Sequence, residues 1–388
     1  MRVVIAPDKF KGSLSAPDVA KHLATGLQAG FGQGIEVTRI PVADGGEGTI
    51  DAAIGSGFTR RTTTVTGPLG EPVKADFAIK DQEAVIEMAA ASGLALLPEG
   101  PSSETAKKAN SIGTGELIRA ALDLGCRKII LGVGGSANTD AGAGVLQGLG
   151  AVFLDKDGNE LPGGGAALAD IDSIDFSNFD VRIEATEFVL ASDVDNPLLG
   201  ASGAPAIFGP QKGATPDDVA ELDAALSHFV DVLAATSGQH AKYAAKAEGA
   251  GAAGGVGYIA IAALKAERRP GIDVVLEFTE LERRLKGADL VITGEGSLDE
   301  QSLLGKTPMG VSRAAQRNGV PVIAVCGRST LSREQLTDAG FHTVHALTDL
   351  EKDVQKCIAE AGPLLEQLGK HIGVYLAERT ENKEYLNV

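Results

Sequence analysis

Hydrophobic and polar positions near the N-terminus alternate in blocks that predict strand–loop–helix units. Residues 3–6 form an apolar run that predicts a strand, and residues 18–27 predict a helix with Ser15 as its N-cap. Residues 36–42 predict a second strand, and residues 49–54 begin another helix after a glycine-rich turn. This order of strands, loops and helices indicates a parallel sheet covered by helices.

The C-terminal part of the chain repeats this pattern. Its predicted strands and helices are the strands 289–293, 320–325 and 343–346, the helix 308–317, and a helix from about residue 351 to the end. Because the two ends of the chain share one pattern, we predict that they build one domain together.

The middle of the chain has a different pattern. Residues 59–88 predict neighbouring strands separated by Gly-Pro turns with no helix between them, which indicates a mixed sheet. Helices and strands then alternate again, and residues 216–236 predict a long helix. We therefore predict an α/β fold with an active site in the cleft between two domains. These are a discontinuous Rossmann-like parallel-sheet domain, residues 1–65 and 287–388, and an inserted α/β mixed-sheet domain, residues 66–286.

Glycine content adds ligand-binding loops to this picture. The chain has 50 glycines among 388 residues, and they gather in short clusters at the ends of apolar runs. Tight turns and a close approach of the backbone to a ligand both need glycine at such places.

Charge and hydropathy exclude several classes of partner. The formal charge is −17, from 52 acidic and 35 basic residues, which disfavours nucleic acid and anionic membranes. No apolar run approaches the ~18 residues that span a bilayer, and the start of the chain lacks a signal-peptide core. The three cysteines lack metal-ligand spacing. We predict a cytoplasmic monomer or homodimer whose anionic substrate meets local cations or Mg²⁺.

Two glycine-bearing loops near the N-terminus follow predicted strands, where ligands bind in open parallel sheets. Loop 8–13 brings two lysines and a hydroxyl to a helix N-terminus, which suits a phosphate or a carboxylate. Loop 44–49 has three glycines that let the backbone approach a ligand, and two carboxylates that suit a hydroxyl or Mg²⁺. The candidate residues are Lys9, Lys11 and Ser13 in the first loop and Asp44, Gly45 and Gly46 in the second.

Loop 132–140 lies between a predicted strand and a glycine-rich helix and contains the pattern G-x-G-x-x-A. A dinucleotide site binds pyrophosphate on such a loop, and Asp155, about 20 residues later, matches the position of the ribose-binding acid. Any phosphate-binding backbone nest gives the same pattern, so two functions stay open here. One is an NAD-dependent dehydrogenase using residues 132–155. The other is a phosphate site with the candidates Gly134, Gly135, Ser136 and Asp140.

Two further loops hold carboxylates and lysines. Segments 191–197 and 208–213 form the fourth loop, in which an aspartate ends a buried strand as a candidate general base or Mg²⁺ ligand. Segments 293–299 and 305–308 form the fifth, whose Gly-Lys-Thr is no P-loop because position 300 is Glu where that motif needs Gly. The candidate residues are Asp193, Asn196 and Lys212 in the fourth loop and Glu295, Asp299 and Lys306 in the fifth.

The five loops together hold mainly lysines, carboxylates and glycines. This chemistry suits phosphoryl transfer, where catalysis rests on positioning, charge neutralisation and Mg²⁺. The alternatives are the dehydrogenase and a non-catalytic regulator that binds a nucleotide or a sugar acid.

Long motifs in these loops resemble the bacterial glycerate kinases of the first type. The resemblance runs in order over residues 1–377. It rests on APDKFKGSLSA (6–16), PVADGGEGT (41–49), TGPLG (66–70), GTGELI (113–118), ASDVDNPL (191–198), FGPQKGA (208–214) and TGEGSLD (293–299). One departure is that the family commonly reads Gly-Gly-Ser-Ala-Thr-Asn-Asp, whereas here Asn138 precedes Thr139.

The resemblance implies ATP-dependent phosphorylation of D-glycerate, usually to 2-phosphoglycerate, in glycerate, glyoxylate or glucarate catabolism. It also implies ATP and Mg²⁺ as cofactors, and a Rossmann-like domain and a distinct α/β domain that enclose a cleft. On this interpretation the backbone amides of 132–136 hold an anion. The hypothetical side-chain roles are a proton acceptor (Asp193, or else Asp44), cations for phosphate or glycerate carboxylate (Lys9, Lys11 or Lys212), and Mg²⁺ ligands (Glu295 and Asp299).

Overall fold

The computed structural model describes residues 1–303 and 305–381. Its strands are β1 (Arg2–Pro7), β2 (Glu36–Arg39), β3 (Thr59–Thr66), β4 (Pro72–Lys80), β5 (Glu83–Glu87), β6 (Lys128–Gly132), β7 (Val152–Leu154), β8 (Ser173–Asp175), β9 (Glu187–Ala191), β10 (Glu267–Arg269), β11 (Leu290–Leu298), β12 (Val322–Ser329) and β13 (Thr343–Ala346).

The helices connect and cover these strands. They are α1 (Ala16–Phe31), α2 (Thr49–Gly55), α3 (Ala89–Ser92), α4 (Ser103–Lys108), α5 (Ile112–Asp123), α6 (Ala143–Gly148), α7 (Ala204–Phe208), α8 (Pro216–Ser237), α9 (His240–Ala244), α10 (Val256–Ala262), α11 (Gly271–Phe278), α12 (Leu281–Leu285), α13 (Glu300–Leu303), α14 (Thr307–Arg317), α15 (Arg333–Asp338), α16 (Leu347–Leu350), α17 (Val354–Ala359) and α18 (Ala361–Glu381). Short 3-10 helices lie at Leu94–Leu96, Ala166–Asp170, Val181–Ala185, Pro210–Lys212 and Ala252–Gly255. Among the described residues, no helix is both long and apolar enough to cross a membrane.

The chain forms two compact units, and the first is built from both chain ends. It comprises Met1–Asp44, Asp51–Gly57 and the described residues from Ile272 onward. Its five-stranded sheet is parallel throughout, in the order β13-β12-β11-β1-β2. This topology confirms the predicted Rossmann-like parallel sheet formed by the two ends of the chain.

Helix α1 begins where the local sequence supplies a cap. The Ser15 hydroxyl oxygen accepts a hydrogen bond from the backbone N–H of Asp18 at 3.3 Å. Pro17 stands in the first turn, where its missing N–H breaks no helical bond. The helix then buries Leu23 and Leu27 in the core of the first unit.

Glycines line the contact between α1 and α18. A Cβ atom built on Gly26 would lie 2.0 Å from the backbone oxygen of Glu366, and one on Gly373 would lie 2.5 Å from that of Leu27. Side chains at these positions would collide with backbone, so the two helices approach each other through glycine faces. Two more glycines with such close contacts are Gly30 and Gly369.

The second unit contains the mixed sheet that the sequence predicts. It comprises Gly45–Ile50 and Phe58–Gly271, and its six strands lie in the order β10-β9-β6-β5-β4-β3. Strands β10, β9, β6 and β5 run parallel, whereas β4 is antiparallel to both β5 and β3. Strands β7 and β8 form a separate two-stranded sheet. In the core, the rings of Phe153 and Phe229 lie 5.6 Å apart.

Strand pairing and packing set the boundaries between the two units. Strand β3 pairs with β4 over its whole length, so the division falls between Gly57 and Phe58, whereas the pattern of residues predicts a division after residue 65. The later division precedes Ile272, whose side chain would lie 2.3 Å from a Cβ on Gly310 of α14. This contact keeps α11 beyond Gly271 with the first unit.

The prediction of one C-terminal helix from about residue 351 is wrong. The structure has α17 and α18 there, with Glu360 between them. Pro363 lacks an N–H and fits only the first turn of a helix, so it belongs to a new helix and cannot continue α17. Residues 382–388, part of the predicted first domain, lie outside the described residues.

Candidate functional site

In both units most candidate residues lie in the loops that follow the carboxyl ends of parallel strands, which is where open α/β sheets bind ligands. In the first unit these ends carry a carboxylate cluster, which we define as Asp8, Asp44, Glu295 and Asp299. In the second unit the loop after β6, residues 132–140, forms what we call the glycine loop.

Asp8 is the most enclosed member of the carboxylate cluster. It follows β1, and its backbone N–H donates to Gly294 of β11 at 2.8 Å. Its carboxylate accepts hydrogen bonds from the Thr307 hydroxyl at 2.5 Å and from the Lys9 N–H at 2.7 Å. The side chain is therefore fixed between the end of β1 and the first turn of α14.

The environment of Asp8 favours its protonated form. Burial, together with the charge of the nearby Asp44 carboxylate, raises the pKa of Asp8 to about 7. The hydrogen bonds from Thr307 and Lys9 act in the opposite direction. A carboxyl group with such a pKa changes charge near neutral pH.

Glu295 is a half-buried acceptor in β11. Among the described residues its Oε1 atom is buried and has no hydrogen-bond partner. Burial raises the pKa of Glu295, opposed by a hydrogen bond from Ser302 and by the charge of Lys306 at the N-cap of α14. Asp299 accepts from the backbone N–H groups of Gln301 and Ser302, so one of its oxygens caps α13.

The carboxylate cluster has chemistry that fits Mg²⁺ arriving with a phosphate. Within residues 1–303 and 305–381, no three His, Cys, Asp or Glu side chains could hold a metal by themselves. Mg²⁺ often takes only one or two protein carboxylates and completes its shell with phosphate oxygens and water. The Oε1 atom of Glu295, which has no hydrogen-bond partner among the described residues, is a carboxylate oxygen of the type that Mg²⁺ prefers.

The lysines and serine predicted near Asp8 have different environments. Lys9 is half-buried, and its charge lowers the pKa of Asp8, whereas Lys11 is exposed. The Ser13 hydroxyl donates to the backbone oxygen of Ile358 at 2.6 Å. The position of Ser13 therefore favours a structural role over phosphate binding.

Glycines let the segment 45–50 pack directly on the glycine loop. A Cβ atom on Gly132 would lie 2.5 Å from the backbone oxygen of Gly45, and one on Gly134 would lie 2.9 Å from Cα of Gly46. Both contacts are tighter than any side chain allows, so these glycines are needed for the approach of two backbones.

The glycine loop is also anchored by backbone hydrogen bonds on one side. The Leu94 N–H donates to Gly135 at 2.9 Å, and the Ala137 N–H donates to Ser92 at 2.8 Å. Gly135 has a φ of +75°, a conformation that favours glycine. Gly134 and Gly135 are exposed, so this part of the loop is accessible to a ligand.

Asp140 is the last residue of the glycine loop, and its carboxylate is enclosed by hydrogen-bond donors. Its oxygens accept from the Ser111 N–H and hydroxyl at 2.8 Å each and from the Asn138 amide at 2.7 Å. The N–H groups of Gly142 and Gly144 also donate to it. With 0 % exposure and five donors, Asp140 is placed to anchor the loop rather than to touch a ligand.

Lys212 is buried behind the same loop. Its ammonium donates to the Ser136 hydroxyl at 2.9 Å and to the backbone oxygen of Asn138 at 2.5 Å. Burial lowers the pKa of Lys212 to about 7, and the charge of Asp140 opposes this shift. Within the described chain, the side-chain oxygens of Asn138 and Thr139 are buried without a hydrogen-bond partner.

The fourth loop places Asp193 at the surface of the second unit. Its Oδ1 atom accepts from the Gly271 N–H at 3.1 Å, and the side chain is exposed. A Cβ on Gly45 would lie 2.7 Å from Cα of Gly271, so Asp193 and the segment 45–50 share this neighbour. The amide of Asn196 donates to the backbone oxygen of Ser202 at 2.9 Å.

The structure does not support the dinucleotide interpretation of residues 132–155. That motif needs the next strand to join the same parallel sheet, whereas β7 pairs only with β8 among the described strands. Asp155, the expected ribose-binding acid, instead accepts from the N–H groups of Asp157 and Asn159 in an exposed turn.

The sequence pattern did not single out three residues that belong to, or contact, the carboxylate cluster and the glycine loop. Asp8 stands next to the lysines of the first loop, Thr307 next to Lys306, and Ser111 belongs to a segment with no motif of its own. The position of Asp8 two residues after the predicted strand 3–6 was a usable signal. Nothing local to Ser111 indicates its contact with Asp140, because that contact joins distant parts of the chain.

Comparisons with known proteins agree with the resemblance carried by these loops. The family model described as "Glycerate kinase family" matches residues 3–377. Glycerate kinase of Bacillus subtilis (strain 168) is 43% identical over 378 residues, covering 96% of this chain and 97% of that protein. Glycerate 2-kinase of Escherichia coli (strain K12) is 45% identical over 333 residues, covering 85% and 86%.

A solved structure extends this agreement to the fold. The crystal structure named for a glycerate kinase 2 from Salmonella typhimurium LT2 is 39% identical, with a TM-score of 0.84, over 98% of this chain and 99% of that one. The match of sequence and fold over nearly the whole length confirms the family suggested by the motifs. This chain belongs to the glycerate kinase family.

Proposed function

We propose that this chain transfers the γ-phosphoryl group of ATP to a hydroxyl of D-glycerate, with 2-phosphoglycerate as the product. The carrying observation is that four of the family's motifs, at 6–16, 41–49, 191–198 and 293–299, lie at the carboxyl ends of parallel strands, and these strands belong to both units. They hold the glycines, cations and carboxylates that phosphoryl transfer needs. We place the reaction in the cytoplasmic catabolism of organic acids.

Asp193 is the proposed proton acceptor. It is exposed, and the Gly271 N–H fixes one of its oxygens. In the proposed step the glycerate hydroxyl oxygen forms a bond to the γ-phosphorus while the bond to the β–γ bridging oxygen breaks and ADP leaves. The hydroxyl proton goes to Asp193, which returns it to water. Asp44 is the second candidate for this role.

The first unit is proposed to hold the phosphate chain of ATP. Lys9 and Lys306 lie beside the carboxylate cluster and supply positive charge, as shown by their effects on the pKa values of Asp8 and Glu295. Glu295 and Asp299 are the proposed Mg²⁺ ligands. When bound, the ion neutralises charge that develops on the phosphate oxygens.

The second unit is proposed to hold an oxyanion on the glycine loop. Gly134 and Gly135 are exposed and allow the backbone to approach a ligand, and Ser136 adds a hydroxyl. Gly45 and Gly46 support this loop from the side.

The direct test is ADP production by the purified chain with MgATP and D-glycerate, followed by NMR identification of the product. We expect ADP formation that depends on D-glycerate and a product phosphorylated at the 2-hydroxyl. L-glycerate and NADH serve as controls for substrate choice and for the dehydrogenase alternative. Absence of glycerate-dependent ADP would overturn the proposal, and a 3-phosphorylated product would overturn the assigned hydroxyl.

A further inference from the structure

Lys212 is a charged group fixed entirely inside the second unit. It ends the 3-10 helix Pro210–Lys212 and is 2 % exposed. The next residue, Gly213, has a φ of +93°, and a Cβ built there would lie 2.3 Å from the Ser102 nitrogen. The backbone beside Lys212 is thus packed closely against the segment that contains Ser102.

The polar partners of Lys212 are neutral oxygens. Its ammonium donates to the Ser136 hydroxyl and to the backbone of Asn138, while the nearby Asp140 carboxylate is already surrounded by five other donors. Burying an ammonium without direct pairing to a carboxylate is costly. Such an arrangement is typical of functional sites.

The contact with Lys212 determines how Ser136 presents its hydrogen. An ammonium only donates, so the Ser136 oxygen is the acceptor in this bond. Within the described residues, no acceptor receives the hydroxyl hydrogen of Ser136 or the N–H groups of residues 134–136. Gly134 and Gly135 are exposed, and Ser136, which is 7 % exposed, follows them directly in the glycine loop.

We propose that Lys212 is a positioning residue that holds the Ser136 hydroxyl as a donor to an oxyanion bound on residues 134–136. The oxyanion is either a phosphate of the nucleotide or the carboxylate of the acceptor acid. This inference rests on the proposed function for the identity of the ligand. It differs from direct anion binding by Lys212, which the sequence analysis expected, because the buried ammonium reaches the ligand only through Ser136.

The proposal has a pH dependence of defined sign. Burial lowers the pKa of Lys212 to about 7, and Asp140 is the charged group that opposes this shift. Its other partners, Ser136 and the backbone of Asn138, are neutral. In the free protein the ammonium therefore loses its proton as pH rises through about 7. Oxyanion binding should weaken over the same range.

The test is calorimetric titration of the full chain with inorganic phosphate, ATP and D-glycerate separately, at about pH 6 and about pH 8.5. The variants are Lys212→Met, Ser136→Ala and their combination. Lys246→Met, which alters an exposed lysine of the same unit, is the control. We expect the wild type and the control to bind one class of oxyanion about tenfold more tightly at the lower pH.

Both single variants should lose about tenfold in affinity at the lower pH, together with the pH dependence, and the double variant should be no worse. If Ser136→Ala keeps the pH dependence, Lys212 contacts the ligand directly and the proposal is wrong. The same holds if Lys212→Met binds normally at both pH values. If Lys212→Met does not fold, Ser136→Ala alone decides. If the variants bind oxyanions as expected but the chain does not phosphorylate D-glycerate, the proposed function is wrong and the role of Lys212 stands.

Discussion

At the scale of single residues, burial moves two charged groups of the candidate site toward neutrality. Burial raises the pKa of Asp8 to about 7 and lowers the pKa of Lys212 to about 7. Each group thus changes charge close to neutral pH, where small changes in surroundings have large effects. The two pKa shifts have opposite effects on the free energy of unfolding: as pH rises, the shift of Asp8 lowers stability and the shift of Lys212 raises it.

Asp8→Asn should make the protein more stable above neutral pH. Between the ordinary pKa of 3.8 and the folded value of about 7, the folded state keeps a proton that the unfolded state releases. The wild type therefore loses stability as pH rises through this range, whereas an amide does not titrate. We expect the variant to gain about 1–4 kcal/mol in free energy of unfolding near pH 8 and nothing near pH 4.

Urea unfolding at several pH values measures this difference. Asp338→Asn is a suitable control because Asp338 is an exposed aspartate of the same unit. If Asp8→Asn showed the same dependence on pH as the wild type, the burial effect on Asp8 would be refuted. Loss of kinase activity in this stabilised variant would mark Asp8 as a functional residue.

Asp193→Asn should lower kcat with little change in KM. Removing a general base typically costs about 10²–10⁴-fold in rate, while binding of both substrates is retained. Steady-state kinetics with D-glycerate and MgATP give both constants. Asp195→Asn is the matched control, since Asp195 is exposed nearby and pairs with Arg268. Near-normal turnover in Asp193→Asn would exclude this residue as the base.

The sequence indicated the segments of the candidate site better than the roles of their residues. Motif spacing predicted that Lys212 meets an anion, but burial directs its ammonium to Ser136 and Asn138 instead. Asp8 went unnoticed beside Lys9, since solvent exclusion depends on how α14 covers the end of β1. Burial arises from contacts between distant segments, and local patterns do not contain it.

At the scale of elements, the pair α1 and α18 gives glycine a role that differs from ligand binding. Four glycines of these helices would place a Cβ atom within contact distance of the opposite backbone, namely Gly26, Gly30, Gly369 and Gly373. Backbones that approach so closely gain dispersion contacts along their length. Glycine in a helix costs about 1 kcal/mol relative to alanine, so the packing must outweigh this cost.

Gly26→Ala and Gly373→Ala should each destabilise the first unit. The added methyl group would lie 2.0 Å and 2.5 Å, respectively, from a backbone oxygen of the other helix. Overpacking of this kind typically costs about 1–3 kcal/mol, more than the gain in helix propensity. Thermal unfolding followed by circular dichroism should give lower Tm values for both variants.

Gly55→Ala provides the matched control for these substitutions. Gly55 ends α2 in the same unit, and a Cβ there would meet only the Pro41 side chain at 3.4 Å, an ordinary contact. Its Tm should stay the same or rise. Equal effects of all three substitutions would contradict the close-approach argument.

The periodicity of hydrophobic residues predicted most helices and strands, because each element buries one face regardless of which element packs against it. It did not predict which strands pair. The pattern after β6 is typical of a dinucleotide site, yet β7 joins β8 in a separate sheet. Pairing depends on contacts across the chain, so this part of the fold could not be derived locally.

At the scale of the whole molecule, the motif at 41–49 is shared between the two units. Asp44 belongs to the first unit, and the segment Gly45–Ile50 belongs to the second. The chain passes between units at Asp44/Gly45, Ile50/Asp51, Gly57/Phe58 and Gly271/Ile272. Candidate residues of one motif thus belong to different units. Substitutions should therefore be able to change the proposed Mg²⁺ site of the first unit without changing oxyanion binding in the second.

Glu295→Gln should raise the Mg²⁺ concentration needed for half-maximal activity by at least about tenfold. The amide keeps the shape of the side chain but removes the charge that the proposed ion meets. Binding of an oxyanion to the glycine loop should be unchanged, since that loop lies in the second unit. Activity at varied Mg²⁺ and calorimetry with phosphate measure the two effects. A change in oxyanion binding alone would refute this division of roles.

The position of β1 inside the sheet has a consequence for how the protein is made. Strand β1 lies between β2 and β11, and the ribosome completes β11 only after the whole second unit has been synthesised. Until then β1 has an open edge, and the glycine face of α1 lacks its partner α18. The first unit therefore reaches its native fold last. Premature termination beyond Gly271 would release a chain with a finished second unit and an N-terminal segment exposed to chaperones and proteases.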